Sequence, residues 1–221
     1  MLHFAVNTPR PNSDFETEKN GILDAAKCIS FLLVEESSVD GESRPSFCGT
    51  AFFVSQNLLV TAGHNVAGVH QPVKDIRITY PGVESIRSLD VANHKVPTIT
   101  CKVVGTLYKR DRRVSKDIAI LDAGSFNAPF YLPLSSVVPP IDAIVDLVGY
   151  PDEIKREWIQ AHKGVSDAGK CLRKAMQMFP KGDLFVTRGV IRSVGATMTY
   201  KMSTCPGLSG SCILYKGAAI G

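Results

Sequence analysis

Ser203-Thr204-Cys205-Pro206-Gly207-Leu208-Ser209-Gly210-Ser211 suits neither a helix nor the interior of a strand. Glycine accepts the dihedrals of a sharp bend, so the stretch reads as a tight turn. Such a turn can hold the Ser209 hydroxyl outward. It can also aim the backbone N–H groups of Gly207 and Ser209 into one small space. An acyl-transfer site needs that combination, a nucleophile beside donors for the oxyanion. By itself the stretch reads more readily as a Gly/Ser-rich surface turn, and the rest of the chain has to decide.

A serine nucleophile needs a base within hydrogen-bond reach and a carboxylate that fixes the base's tautomer. Of the five histidines, His3 lies in an N-terminal arm, and His70, His94 and His162 sit in polar stretches where surface histidines are ordinary. His64 ends the apolar run Leu58-Leu59-Val60-Thr61-Ala62 and follows Gly63. There it would stand at a rim on rigid support, as a base requires. A strand-end histidine that merely turns the chain reads equally well from position alone. For the carboxylate, Asp117 precedes Ile118-Ala119-Ile120-Leu121, where a loop meets a buried strand. Ionised aspartate is rarely buried without a partner, and the His64 imidazole would serve as one. Asp122 reads as a turn residue. Asp75, also at a strand start, remains a rival to Asp117.

The 221 residues allow one large or two small domains with real cores. Apolar content of 44% and charged content of 21% are those of an ordinary globular protein. The net charge of +4 comes from scattered cations, apart from Lys109-Arg110-Asp111-Arg112-Arg113. That run reads as a solvated turn rather than a nucleic-acid site. No apolar run approaches the ~20 residues that span a bilayer, so neither nucleic acid nor membrane is an expected partner. Met1-Leu2-His3-Phe4 has no long apolar core of the kind a secretory leader carries. Cys28, Cys48, Cys101, Cys171, Cys205 and Cys212 are widely spaced without a CxxC, so no zinc site is expected. They read as reduced thiols of a cytoplasmic protein, or of a secreted one if a leader has been removed.

Residues 1–21 read as an N-terminal arm, rich in Pro, Asn, Asp and Glu. Ile22–Lys27 is compatible with helix and Cys28–Val34 reads as a strand. An Asp40-Gly41 turn follows, then a hairpin of Phe47–Val54 with Leu58–Ala62, and one helical turn at Gly63-His64-Asn65. Short strands are expected at Asp75–Tyr80, Thr98–Leu107 and Asp117–Asp122. Pro129, Pro133, Pro139 and Pro140 mark a crossing between lobes. The chain therefore divides into a first domain at 22–128 and a second at 129–221. In the second, Ile144–Tyr150 is a strong strand. Lys155–Phe179 reads as a long hairpin or inserted loops, with a short helix over Ala168–Phe179 that turns Leu172, Ala175, Met176 and Phe179 inward. Strands follow at Leu184–Thr187, Val190–Ser193, Thr197–Tyr200 and Cys212–Tyr215. Ala218 begins another, and the chain stops at Gly221. Many short strands between turns imply an all-β sandwich or barrel, and the stop implies that the second domain is incomplete.

Three blocks in the order His, Asp, Ser resemble the trypsin-like (chymotrypsin-fold) serine proteases, closest in look to the glutamyl endopeptidases and the bacterial and fungal trypsin-like peptidase domains. They are Cys48–Val54 with Leu59–His64, Asp117–Leu121, and Cys205–Ser211. Gly149-Tyr150-Pro151 and Gly189-Val190-Ile191 resemble landmarks of the family's second barrel. The likeness covers about residues 22–221. It implies two six-stranded antiparallel β-barrels, the second truncated, and a serine endopeptidase acting on peptide or protein substrates with no metal or cofactor. It implies His64 as base and then acid, Asp117 as its orienter, Ser209 as nucleophile, and the N–H groups of Gly207 and Ser209 as oxyanion hole. Further domains beyond Gly221 would be compatible with it.

The chain also departs from that family. Leu208 stands where the zymogen-type members carry an aspartate that receives a new N-terminal amine, so activation by cleavage is not expected. Asn65 replaces the cysteine that usually follows the histidine, leaving Cys48 without its partner. Ser203 stands where the basic-specific members have an aspartate, so it and Thr204 would line a small or polar pocket. The competing expectation is a non-catalytic module that keeps the fold for binding or regulation.

Overall fold

A computed structural model describes residues 3–4, 15–37, 43–67, 73–83, 95–108, 117–160, 167–179, 182–195 and 198–220. The elements in chain order are β1 (His3–Phe4), α1 (Phe15–Ala26), β2 (Ile29–Ser37), β3 (Ser43–Phe53), β4 (Leu58–Thr61), β5 (Val73–Thr79), β6 (Thr98–Thr100), β7 (Lys102–Thr106) and β8 (Ala119–Asp122). After a long crossing come β9 (Ile144–Gly149), α2 (Arg156–Gln160), α3 (Ala168–Met178), β10 (Phe185–Val194), β11 (Met198–Lys201), β12 (Cys212–Tyr215) and β13 (Ala218–Ala219). A single 3-10 turn, Gly63–Asn65, follows β4.

The fold is mostly β and barrel-like, in two sheets. The first has seven strands in the order β6-β5-β2-β3-β4-β8-β7, all paired antiparallel. The second has six, β1-β10-β9-β12-β13 with β11 also on β10; β1 pairs parallel with β10 and the other strand pairs are antiparallel.

β2 explains how the sheets share a core. Its residues from Ile29 to Val34 are all buried, because side chains alternate between two apolar environments. Leu32 and Val34 join Phe53, Leu59, Ile78 and Leu121 inside the first sheet. Ile29, Phe31 and Leu33 turn the other way, toward Val148, Tyr150, Val186 and Leu214 of the second sheet. Fully burying one such side chain stabilises by about 2 kcal/mol, so this two-faced strand ties the two sheets together. Tyr150 completes the joint: its ring meets Phe31 edge-on at 5.9 Å and its hydroxyl donates to the Val83 carbonyl.

Several elements differ from expectation. The polar arm is helical from Phe15, and α1 runs across the expected boundary at 21 and 22. Ile22, Ala25 and Ala26 recur at helical spacing and bury into the shared core, while Asn20 and Asp24 are exposed. The two strands expected at Leu184–Thr187 and Val190–Ser193 merge into one, β10, which starts at Phe185 and runs through Gly189. A Cβ there would lie 2.4 Å from Met202 Cβ and 2.5 Å from the Lys201 carbonyl, so glycine admits the close approach of the chain beside β10. Thr98–Leu107 divides into β6 and β7 at Cys101, whose N–H donates to the Ile76 carbonyl. The insertion carries two helices among its described residues: α3 appears where expected, α2 was not anticipated, and Met176 is 55% exposed rather than inward. Among the described residues, no helix is long and apolar enough to cross a membrane.

Candidate active site

His64 rides on the 3-10 turn that ends β4, beside β8. The β4–β8 register, Leu58 with Asp122 through Thr61 with Ala119, brings the residues just beyond each strand face to face. Gly63 permits that closeness, since a Cβ there would lie 2.8 Å from Tyr108 Cβ and 3.2 Å from the Ile118 nitrogen. Asp117 grips His64 twice. Its Oδ1 accepts the His64 backbone N–H at 2.8 Å, and its Oδ2 pairs with ring Nδ1 at 2.7 Å. With Nδ1–H donating to the carboxylate, Nε2 is left to accept. Ser209 Oγ stands 2.9 Å from that Nε2. Both the His64 and Asp117 side chains are 35% exposed, so the pair is partly open to solvent.

The turn bearing Ser209 has two left-handed glycines, Gly207 with φ 87° and Gly210 with φ 82°. Space selects glycine as strongly as dihedral does. A Cβ on Gly207 would lie 2.2 Å from the Asp152 nitrogen, and one on Gly210 would lie 2.2 Å from the Thr50 carbonyl. The peptides that carry the Gly207 and Ser209 N–H groups are held by their carbonyls. Asp152 N–H donates to Pro206 O at 2.8 Å, and Ser211 N–H donates to Leu208 O at 3.1 Å. In a trans peptide the N–H points opposite to its carbonyl. The Gly207 and Ser209 N–H groups are therefore turned away from those bonds, and neither donates to another group among the described residues.

The first sheet holds the same turn from below. Thr50 N–H and Asn65 Nδ2 both donate to the Ser209 carbonyl, at 2.9 and 3.0 Å. Thr50 Oγ1 donates to Gly207 O at 3.0 Å and accepts Tyr150 N–H at 2.9 Å. Asn65 Nδ2 also donates to Thr61 Oγ1, which donates to Thr50 O at 2.8 Å. Thr50, Thr61 and Asn65 are all buried. The sequence had marked Asn65 only as a departure and had not singled out Thr50 or Thr61. The available signal was their polarity beside apolar strand residues, which demands buried hydrogen-bond partners.

His64, Asp117, Ser209, Thr204, Cys205 and Leu208 are among the residues that line a cleft of about 310 Å³. Ser203 is not one of them. It lines a separate cavity of about 410 Å³ beside Arg188, Arg192 and Lys201. The expected pocket pair is therefore divided between two cavities. Burial, with Asp152 nearby, pushes the Cys205 thiol up to about 12, so it stays a neutral thiol beside Ser209. Asp75 pairs with Arg77 at 3.2 Å in the first sheet and takes no part in the site. Asp122, expected in a turn, is the last residue of β8 and accepts from Gly124 N–H and Asn57 Nδ2. His70, His94, His162 and the Lys109–Arg113 run lie outside the described residues, as do the side chains of His3 and Cys48.

No protein-family model matches this chain, and no curated protein matches it either, so the residues themselves must carry any assignment.

Proposed function

We propose that this protein is a serine endopeptidase of the trypsin-like kind, cleaving peptide or protein substrates through an acyl-enzyme. The observation that carries the reading is the unbroken line from Asp117 Oδ2 to His64 Nδ1 at 2.7 Å and from His64 Nε2 to Ser209 Oγ at 2.9 Å. Three chain segments far apart in sequence converge to make it. In this reading the two sheets correspond to the family's two barrels, with the site at their junction. The domain at 22–128 supplies His64 and Asp117, and the domain at 129–221 supplies Ser209.

The chemistry follows from the donors and acceptors. Ser209 Oγ attacks the scissile carbonyl carbon while its proton passes to His64 Nε2. The carbonyl oxygen takes up the displaced electron pair and sits against the Gly207 and Ser209 N–H groups, each worth ~3 kcal/mol to such a transition state. Asp117 stabilises the imidazolium. His64 then gives the proton to the leaving amine as the C–N bond breaks, leaving an ester on Ser209. Water, deprotonated by His64, attacks that ester, and Ser209 departs with its proton restored. Each step draws only on this chain, the substrate and water. Leu208 cannot accept an ammonium group, so activity requires no freshly cut N-terminus.

The test is intact mass after reaction with a fluorophosphonate, on the wild-type chain and on Ser209→Ala. One adduct per wild-type chain and none on Ser209→Ala is the expected result. A folded wild-type chain that takes no adduct would overturn the reading and leave the fold as a binding or regulatory module. A peptide library then separates peptidase from esterase.

A further inference from the structure

Between β9 and β10 the chain leaves the second sheet and returns, and the excursion is pinned at its base where Gly182 N–H donates to Pro151 O at 3.0 Å. Its described buried side chains belong to neither of the two cores described above. Ile154, Ile159 and Phe179 are buried, and Leu172, Ala175 and Met178 partly so, in a third cluster with Leu147 and Phe185 of the sheet. The Phe179 and Phe185 rings lie 5.1 Å apart. The remaining buried members of that cluster are Cys205 and Leu208, from the nucleophile turn itself. The outer face of α3 is polar and exposed at Lys170, Arg173, Lys174 and Gln177.

The excursion also reaches the turn through the backbone. Asp152 N–H holds Pro206 O, and that bond sets the direction of the Gly207 N–H. Gly207 is pressed so closely on Tyr150 and Asp152 that a Cβ there would lie 2.6 Å from Tyr150 O. The turn thus has two supports, Thr50 and Asn65 on one side and the excursion on the other. The first acts at Ser209 and Gly207 from the first sheet. The second acts on Leu208 and on the Pro206–Gly207 peptide.

We propose that the 151–182 excursion is a positioning element for the reaction at Ser209, holding the Gly207 and Ser209 N–H groups in working orientation by packing on Leu208 and Cys205 and by bonding Asp152 to Pro206. The inference rests on the serine-hydrolase reading and gives the insertion a role within it. An apolar anchor needs no charge partner, but it holds only while its cluster stays packed. Loosening α3 should therefore disturb the oxyanion donors before it disturbs the His64–Asp117 pair, which belongs to the first sheet.

The experiment compares the full chain with Leu172→Ala, its conservative counterpart Leu172→Met, Arg173→Ala on the exposed face of α3, and Ile99→Val in the first sheet's core as a stability control. Two quantities are read well below the melting transition: amide exchange at Asp152 and Ser211, and the fluorophosphonate labelling rate at saturating probe. In Leu172→Ala the exchange at Asp152 should speed up and the labelling rate fall, each about tenfold or more. The low-field proton signal of His64 Nδ1 should persist. Leu172→Met should restore most of both quantities, while Arg173→Ala and Ile99→Val should label as wild type. Unchanged labelling in a folded Leu172→Ala overturns the proposal, whatever its melting temperature. Should that variant not fold, Met178→Ala takes its place under the same criteria. Should the wild type itself take no label, the serine-hydrolase reading fails separately. Amide exchange then decides alone whether the excursion holds the turn, and an unchanged rate in the variant overturns it.

Discussion

Ser209 does two jobs with two atoms: Oγ faces His64 Nε2, and its carbonyl anchors the turn to the first sheet through Thr50 N–H and Asn65 Nδ2. Asn65 is therefore tied to Ser209 through a backbone bond that no reaction scheme would mention. Asn65→Ala removes the Nδ2 donors to Ser209 O and Thr61 Oγ1. Each hydrogen bond is worth only about 1 kcal/mol to stability, so the chain should still fold. A small displacement of a reacting group costs far more in rate, and fluorophosphonate labelling should slow by roughly tenfold to a hundredfold. Asn65→Asp should not recover the rate, because a carboxylate cannot donate to a carbonyl. Wild-type labelling by Asn65→Ala would mean that Thr50 alone suffices. His64 and Ser209 could be picked from local context, an apolar strand end and a glycine-rich turn, and Asp117 only alongside its rival Asp75. Asn65 could not, because its partner lies 144 positions away in sequence.

At the scale of elements, β3 joins the two sheets. Thr50 lies within it, opposite Phe31 of β2 in the ladder, and its hydroxyl is shared between Gly207 O and Tyr150 N–H of the second sheet. Thr50→Val keeps the shape and removes the hydroxyl. It leaves a buried N–H and a buried carbonyl each without that partner, at about 1–3 kcal/mol apiece. The denaturation midpoint should fall accordingly and the labelling rate with it, while Thr50→Ser should recover both. A Thr50→Val chain as stable as wild type would show that the hydroxyl is dispensable at the junction. The β3–β4 hairpin and the 3-10 turn were legible because period-2 apolar alternation and a glycine break are local signals. α1 was less so: among its described residues the buried apolar stripe is Ile22, Ala25 and Ala26, and what makes it helical is the shared core those residues enter.

At the scale of the whole molecule, the buried thiols give the fold a defined alkaline limit. Burial pushes Cys28 up to about 11 and Cys101 and Cys205 up to about 12, from an ordinary 9.0, and raises Cys212 further in the same direction. Below pH 9.0 the folded and unfolded chains both keep these protons, so the thiols add no pH dependence. Above it the unfolded chain releases protons that the folded chain retains, and stability falls as pH rises toward 12. Urea midpoints should therefore decline between pH 9 and pH 11. The decline should be shallower in a Cys101→Ala, Cys205→Ala double variant. An identical slope in both chains would remove the thiols as the cause.

The sequence by itself determined the β-rich character of the chain, the turn at Ser209, and three candidate residues with one rival aspartate. Those are properties of short windows, where periodicity and glycine placement constrain the backbone directly. Only the tertiary structure decided between Asp117 and Asp75, since both precede strands and only the β4–β8 register brings one of them against His64. It alone separated Ser203 from Thr204, and it brought Leu208 to the helical excursion and Asn65 to the Ser209 carbonyl. Each of these depends on pairing between segments distant in the chain. That pairing follows from how two sheets bury a common apolar surface, and no local pattern encodes it.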